Sequence, residues 1–209
     1  MWTSARGAEE RGSPFGGAPS GEQRSIPSPQ LPGPPAPLHT LVLGLGNPIL
    51  GDDGVGWRVV EEVERRWRQV EEPWSTVHGP SSVIEFDCFA LGGLALMERL
   101  IGYDRAVLVD AIQTRGGEPG AIYRLTLDDL PTLHANSTHD TSLKAALELG
   151  RRLGARLPEE IVIYAIEAVN VLDFGESLSP PVAAGVGRAA EAVLAQLADG
   201  RAPLVDSKR

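Results

Sequence analysis

The chain has 209 residues and a single cysteine, Cys88. One thiol excludes a disulfide framework and any zinc or iron–sulfur site built from several thiolates. It also fits a reducing compartment, so the expected location is cytoplasmic. No apolar run approaches the roughly 20 residues that a membrane span requires. The first thirty positions hold no apolar stretch of about 7–15 residues, so no secretory signal is read there. Basic residues are scarce: 19 Lys and Arg stand against 28 Asp and Glu, for a net charge of −9 and a pI near 5.0. A sequence-independent grip on nucleic acid or an anionic membrane needs the opposite sign, so neither partner is expected. There is no GxSxG elbow, no HExxH and no internal repeat. An α/β-hydrolase serine and a zincin helix are therefore both unsupported.

What is present divides by composition. Residues 1–37 hold 8 of the 17 prolines and 6 of the 24 glycines, and their three arginines cancel their three glutamates. The whole net charge therefore belongs to the remainder. A segment so poor in large apolar residues cannot offset the entropy of ordering itself, so 1–37 is expected to be a disordered tail. Residues 38–200 read as one α/β domain, and 201–209 as a frayed C-terminus. Apolar runs at Leu41–Leu43, Ser82–Cys88, Ala106–Val109 and Ile161–Ile166 predict strands. Val55, Val59, Val60, Val63 and Trp67 recur at helical spacing, and further helices are expected over 92–101, 141–153 and 180–198. Tyr123, Leu125 and Leu127 alternate as in a half-exposed strand. This strand follows a glycine-rich turn and is expected to pair locally, in the antiparallel sense. Continuous apolar strands separated by helices imply a three-layer αβα sandwich around a mixed, mostly parallel sheet of about five strands.

In such sheets chemistry gathers beyond the carboxyl ends of the strands. After the first strand runs Gly44-Leu45-Gly46-Asn47-Pro48-Ile49-Leu50-Gly51-Asp52-Asp53-Gly54-Val55-Gly56. A dinucleotide fingerprint is discounted. The third glycine is out of register, Pro48 removes an N–H, and two aspartates would repel a pyrophosphate. One aspartate is expected to cap the following helix, which leaves its neighbour unexplained. Asp110 follows the third apolar run, where an unpaired carboxylate is costly to bury; a turn or cap role is the plain alternative. His139 lies in the polar loop Asn136–Ser142 ahead of a helix; a solvated loop histidine is the plain alternative there. Asp53, Asp110 and His139 on three loops make an oxygen, oxygen and nitrogen set suited to a divalent ion with open coordination positions. Cys88 has no basic neighbour in sequence and reads as a small core residue.

These residues resemble the nickel–iron hydrogenase maturation endopeptidases. The likeness rests on Gly44–Asn47 through Asp52–Gly56, on Val109–Ile112 with Gly116–Gly120, on Ser137-Thr138-His139 and on Leu178-Ser179-Pro180, and it spans about 38–198. The resemblance implies an endopeptidase that removes a C-terminal extension from the nickel-loaded large subunit of a [NiFe] hydrogenase. It implies nickel presented by that substrate subunit, and no organic cofactor. Its implied metal-contacting and catalytic residues are Asp53, Asp110 and His139, with Asp52 a further candidate base. Two departures stand out: Asp53 where relatives often carry glutamate, and Asp87-Cys88-Phe89-Ala90 where they tend to carry a glycine–threonine pair. A monomer is expected. Two other readings remain open. Leu43–Pro48 is also similar to the start of peptidyl-tRNA hydrolases, although the acidic domain lacks the basic groove that RNA needs. A non-catalytic nickel-binding assembly factor on the same fold is the other.

Overall fold

The computed structural model describes residues 37–69, 82–129 and 140–199. The expected tail, apart from Pro37, and the expected frayed end lie outside them. So does the loop bearing His139.

Five strands form one sheet: β1 (Leu38–Leu45), β2 (Ser82–Phe89), β3 (Arg105–Ile112), β4 (Ile122–Leu125) and β5 (Glu160–Glu167). Their spatial order is β2-β1-β3-β5-β4. The first four in that order run parallel, and β4 runs antiparallel to β5 with Ile122 opposite Ile166. The helices are α1 (Val55–Trp67), α2 (Gly93–Arg99), α3 (Asp140–Arg152) and α4 (Pro180–Asp199). A 3-10 turn, Gly51–Gly54, precedes α1. No helix among the described residues is long and apolar enough to cross a membrane.

The side-chain alternation of each strand splits the core into two layers. On one face Val42, Val107, Val109, Tyr164 and Ile166 pack against Val55, Val59 and Val63 of α1 and Val182, Ala189 and Val193 of α4. On the other, Leu41, Leu43, Leu108 and Ile163 pack against Leu96 and Leu100, at and just past α2, and Leu143 and Leu147 of α3. Strands clothed on both faces must be apolar throughout, and β1, β3 and β5 are nearly so.

Two expectations need correction. The strand after Gly120 does not pair with its chain neighbour β3. It crosses to the far side of β5 and forms the sheet edge. Because it runs antiparallel, its chain leaves Leu125 heading for the amino edge of the parallel strands rather than the carboxyl edge. β3 also extends through Ile112, so Asp110 sits within the strand, opposite Ala165 of β5, and not after it. The crossover that matters is between β1 and β3. The chain leaves β1 to one side for β2 and then crosses back to β3 on the other. That pair is the switch point of the sheet, and in sheets of this kind sites form beyond the carboxyl ends at such a point.

Candidate functional site

The loop after β1 is held backbone against backbone. Gly46 has φ +106°, and a Cβ there would overlap the Asp53 carbonyl oxygen. A Cβ on Gly56 would overlap the carbonyl oxygens of both Leu45 and Val109. The first turn of α1 thus lies directly on the ends of β1 and β3, an approach only glycine permits. This packing, rather than a phosphate cradle, explains the glycine pattern.

Within that loop the adjacent aspartates have opposite environments. Asp52 is 1% exposed. Its Oδ1 accepts the Ser179 N–H at 2.6 Å. Its Oδ2 accepts the Val169 N–H at 2.9 Å, the Asn170 N–H at 3.2 Å and the Ser179 hydroxyl at 2.9 Å. Both carboxylate oxygens are therefore taken up by the segment linking β5 to α4. Asp53 is half-buried, and its Oδ2 accepts the Asn47 N–H at 2.6 Å. Among the described residues no donor engages Asp53 Oδ1. Neither aspartate caps α1, contrary to expectation: its N-cap is Gly54, without a side-chain cap bond. Standing one turn ahead of α1, both still benefit from the positive end of the helix dipole.

Asp110 is 6% exposed, and its Oδ1 accepts the Ala111 N–H at 2.8 Å. It lies one residue beyond Val109, which pairs with Gly44 of β1 and meets Gly56 of α1. The structure therefore brings the Asp53 loop and Asp110 to the carboxyl end of the same β1/β3 pair. His139 cannot be placed with them, since it lies outside the described residues. Among the described residues no three His, Cys, Asp or Glu side chains gather as a metal-binding group.

Several supporting residues carried no signal of their own role in the sequence. Ser179, known from the sequence only as part of the Leu178-Ser179-Pro180 segment, stands directly ahead of the helix that opens at Pro180. Its carbonyl does accept the first helical bond, from Ala183 at 2.9 Å, but its hydroxyl turns to Asp52. Glu167, 3% exposed at the end of β5, accepts the Thr114 N–H at 2.6 Å and the Thr114 hydroxyl at 2.8 Å. It thereby fixes the loop that follows β3. A Cβ on Gly117 would overlap that carboxylate. Cys88 packs half-buried beside the α1 layer. Burial first, and then the charges of Glu61, Asp87 and Glu64, push its thiol up to about 12. That shift disfavours the thiolate, the reactive form, at neutral pH. Beside it, Asp87 accepts from Arg99 Nε at 2.7 Å, which ties the variant Asp87–Ala90 segment to α2.

Comparison with known proteins decides the family. Residues 57–196 match the family model described as hydrogenase maturation protease (HycI). The chain belongs to the hydrogenase maturation protease family. It is 30% identical over 179 residues to the hydrogenase expression/formation protein HupD of Bradyrhizobium diazoefficiens, covering 81% of this chain and 86% of that protein. It is 28% identical to the hydrogenase 2 maturation protease of Escherichia coli, covering 77% and 91%. Among solved structures, the E. coli hydrogenase maturating endopeptidase HybD superposes with a TM-score of 0.62 at 26% identity, covering 80% of this chain and 97% of that one. The [NiFe] hydrogenase maturation protease HybD of Thermococcus kodakarensis gives 0.54 at 25%, covering 78% and 100%. The expected fold and family are thus both found. The matched segment of the family model begins at Trp57, just past the loop that holds Asp52 and Asp53.

Proposed function

We propose that this protease removes a C-terminal extension from the precursor of a [NiFe] hydrogenase large subunit, and that it recognises the nickel already seated in that substrate. The observation that carries the reading is the contrast between the two adjacent aspartates beside Asp110. Asp52 is fully engaged by its own protein, while Asp53 keeps Oδ1 without a described donor at the carboxyl end of the β1/β3 pair. Asp53 and Asp110 supply hard oxygen donors, and His139 the expected imidazole, for a borderline ion carried by the substrate.

On this reading Asp52 is the brace and Asp53 the working carboxylate. Substrate docking through the nickel places the scissile bond over the carboxyl end of the β1/β3 pair. Asp53, its Oδ2 fixed by the Asn47 N–H, offers Oδ1 to the substrate's nickel and so aligns the scissile bond for attack by water. Positioning supplies much of the rate, because the reacting bond is delivered already oriented. Asp53 is one methylene shorter than glutamate, which draws the substrate's nickel closer to the Asn47 turn.

The test is purified enzyme against nickel-loaded and nickel-free precursor, read by intact mass. Loss of one C-terminal segment from the loaded form alone is expected. Equal cleavage of both forms removes the recognition role, and cleavage of neither removes the protease reading. Processing by a His139→Ala variant at the normal rate would take that residue out of the site. The same fold as a non-catalytic nickel-binding factor predicts binding without any mass change.

A further inference from the structure

We infer that the loop between β5 and α4, residues 169–176, is a docking surface for the folded body of the substrate protein, specifically for an apolar patch fringed with Lys or Arg. The inference rests on the protease reading above and adds a second point of contact to it.

Three observations converge. First, this loop presents large apolar side chains to water: Phe174 is 84% exposed and Leu172 79%, with Val169 and, on the neighbouring loop, Ile49 about half exposed. Clustered exposure of this kind marks an interaction site rather than ordinary surface. Second, the loop is not slack. Asn170 Oδ1 accepts the Leu172 N–H at 3.0 Å and the Asp173 N–H at 3.2 Å, and its Nδ2 donates to Asp173 Oδ2 at 2.6 Å. The Gly51 N–H donates to the Gly175 carbonyl at 2.6 Å, and the Gly175 N–H to the Ile49 carbonyl at 2.9 Å. Asp52 secures the near end through Val169 and Asn170. Leu172 and Phe174 are therefore held out by a braced loop, so their ordering precedes binding, as at hot spots. Third, the loop and the Asp53-bearing segment bonded to it carry one sign, while on the other side Arg115 stands two residues from Gln113, whose side chain donates to the Val169 carbonyl. Residues 45–56 and 169–179 contain Asp52, Asp53, Asp173 and Glu176 and no Lys, Arg or His.

The charge selects the occupant. A second copy of this chain would set the same acidic fringe against itself, which an isologous contact does not favour. A partner whose apolar patch is bordered by cations satisfies both features. The loop is hydrogen-bonded directly to the loop carrying Asp53, so a protein presenting its metal to Asp53 would also lie over Leu172 and Phe174.

The test uses the full chain and the purified nickel-loaded precursor, with affinity measured directly and cleavage measured as KM. Phe174→Ala and the double variant Leu172→Ala/Phe174→Ala should weaken binding at least tenfold and raise KM in parallel, with unchanged melting temperature. Glu176→Lys should weaken binding severalfold at low ionic strength. Leu153→Ala, 77% exposed beyond the end of α3, serves as the control and should bind as the parent does. If the parent cleaves the precursor and the Phe174 variants bind it equally well, this inference fails while the protease reading stands. If the parent leaves the precursor intact, the protease reading fails instead. Dimerisation of the parent that Phe174→Ala abolishes would assign the patch to self-association and overturn the inference.

Discussion

Removing the Asp52 carboxylate strands four donors at once: two backbone amides of 169–170, and the amide and hydroxyl of Ser179. Asp52→Ala is therefore expected to cost about 2–4 kcal/mol, from unsatisfied buried groups, in urea unfolding. Asp53→Asn keeps one oxygen for the Asn47 N–H and should leave the unfolding midpoint within the range of a surface change while losing cleavage. The sequence pairs these two aspartates without telling them apart. Their difference depends on where residues 169–179 return to the sheet, more than a hundred positions later, and no local spacing reports that. Cys88 was legible: a lone thiol in an apolar run without a basic neighbour. With its pKa raised to about 12, the folded protein should resist iodoacetamide at pH 8, and Cys88→Ala should cleave normally. The unfolded thiol ionises near 9 and the folded one only near 12. Its contribution to stability is thus intact below about pH 9 and lost as pH rises from there toward 12.

Among the elements, the contact between α1 and the ends of β1 and β3 matters most for the site. Gly56→Ala would drive a methyl into the carbonyl oxygens of Leu45 and Val109, which are backbone atoms of sheet strands and cannot swing aside. A loss of about 1–3 kcal/mol is expected on thermal unfolding, with a disproportionate fall in cleavage because α1 carries the Asp53 turn. Pattern reasoning located β1, β3, β5 and α1 because buried parallel strands and an amphipathic helix have strong periodicities. It misplaced β4. A four-residue edge strand has too little pattern to name its partner, and pairing with β5 rather than β3 is fixed by the Ile122–Ile166 register across the sheet. The aspartate cap also failed. A 3-10 turn intervenes and moves the N-cap to Gly54, while the side chains satisfy groups elsewhere. The shared position of Asp53 and Asp110 at the end of one strand pair did follow from the sequence, since both adjoin apolar runs that become neighbouring strands.

For the whole molecule, the two core layers fix a rigid sheet whose carboxyl edge is decorated by buried braces, Asp52 and Glu167, and by a braced apolar loop. The acidic balance suits a protein partner with cationic surface, so association with the precursor should slow as salt increases. A chain lacking residues 1–36 is expected to fold and cleave as the full chain does, because that segment is too poor in large apolar residues to build core. Measuring melting temperature and precursor processing side by side checks this. The central claim is that Asp53 and Asp110 act together on a substrate's nickel-bearing C-terminus. It is tested most directly by the intact mass of nickel-loaded precursor after incubation with the parent, Asp53→Asn and Asp110→Asn proteins. The account predicts loss of a single C-terminal segment with the parent and, with each variant, a rate at least a hundredfold lower at preserved fold. Equal mass loss in all three samples would contradict it.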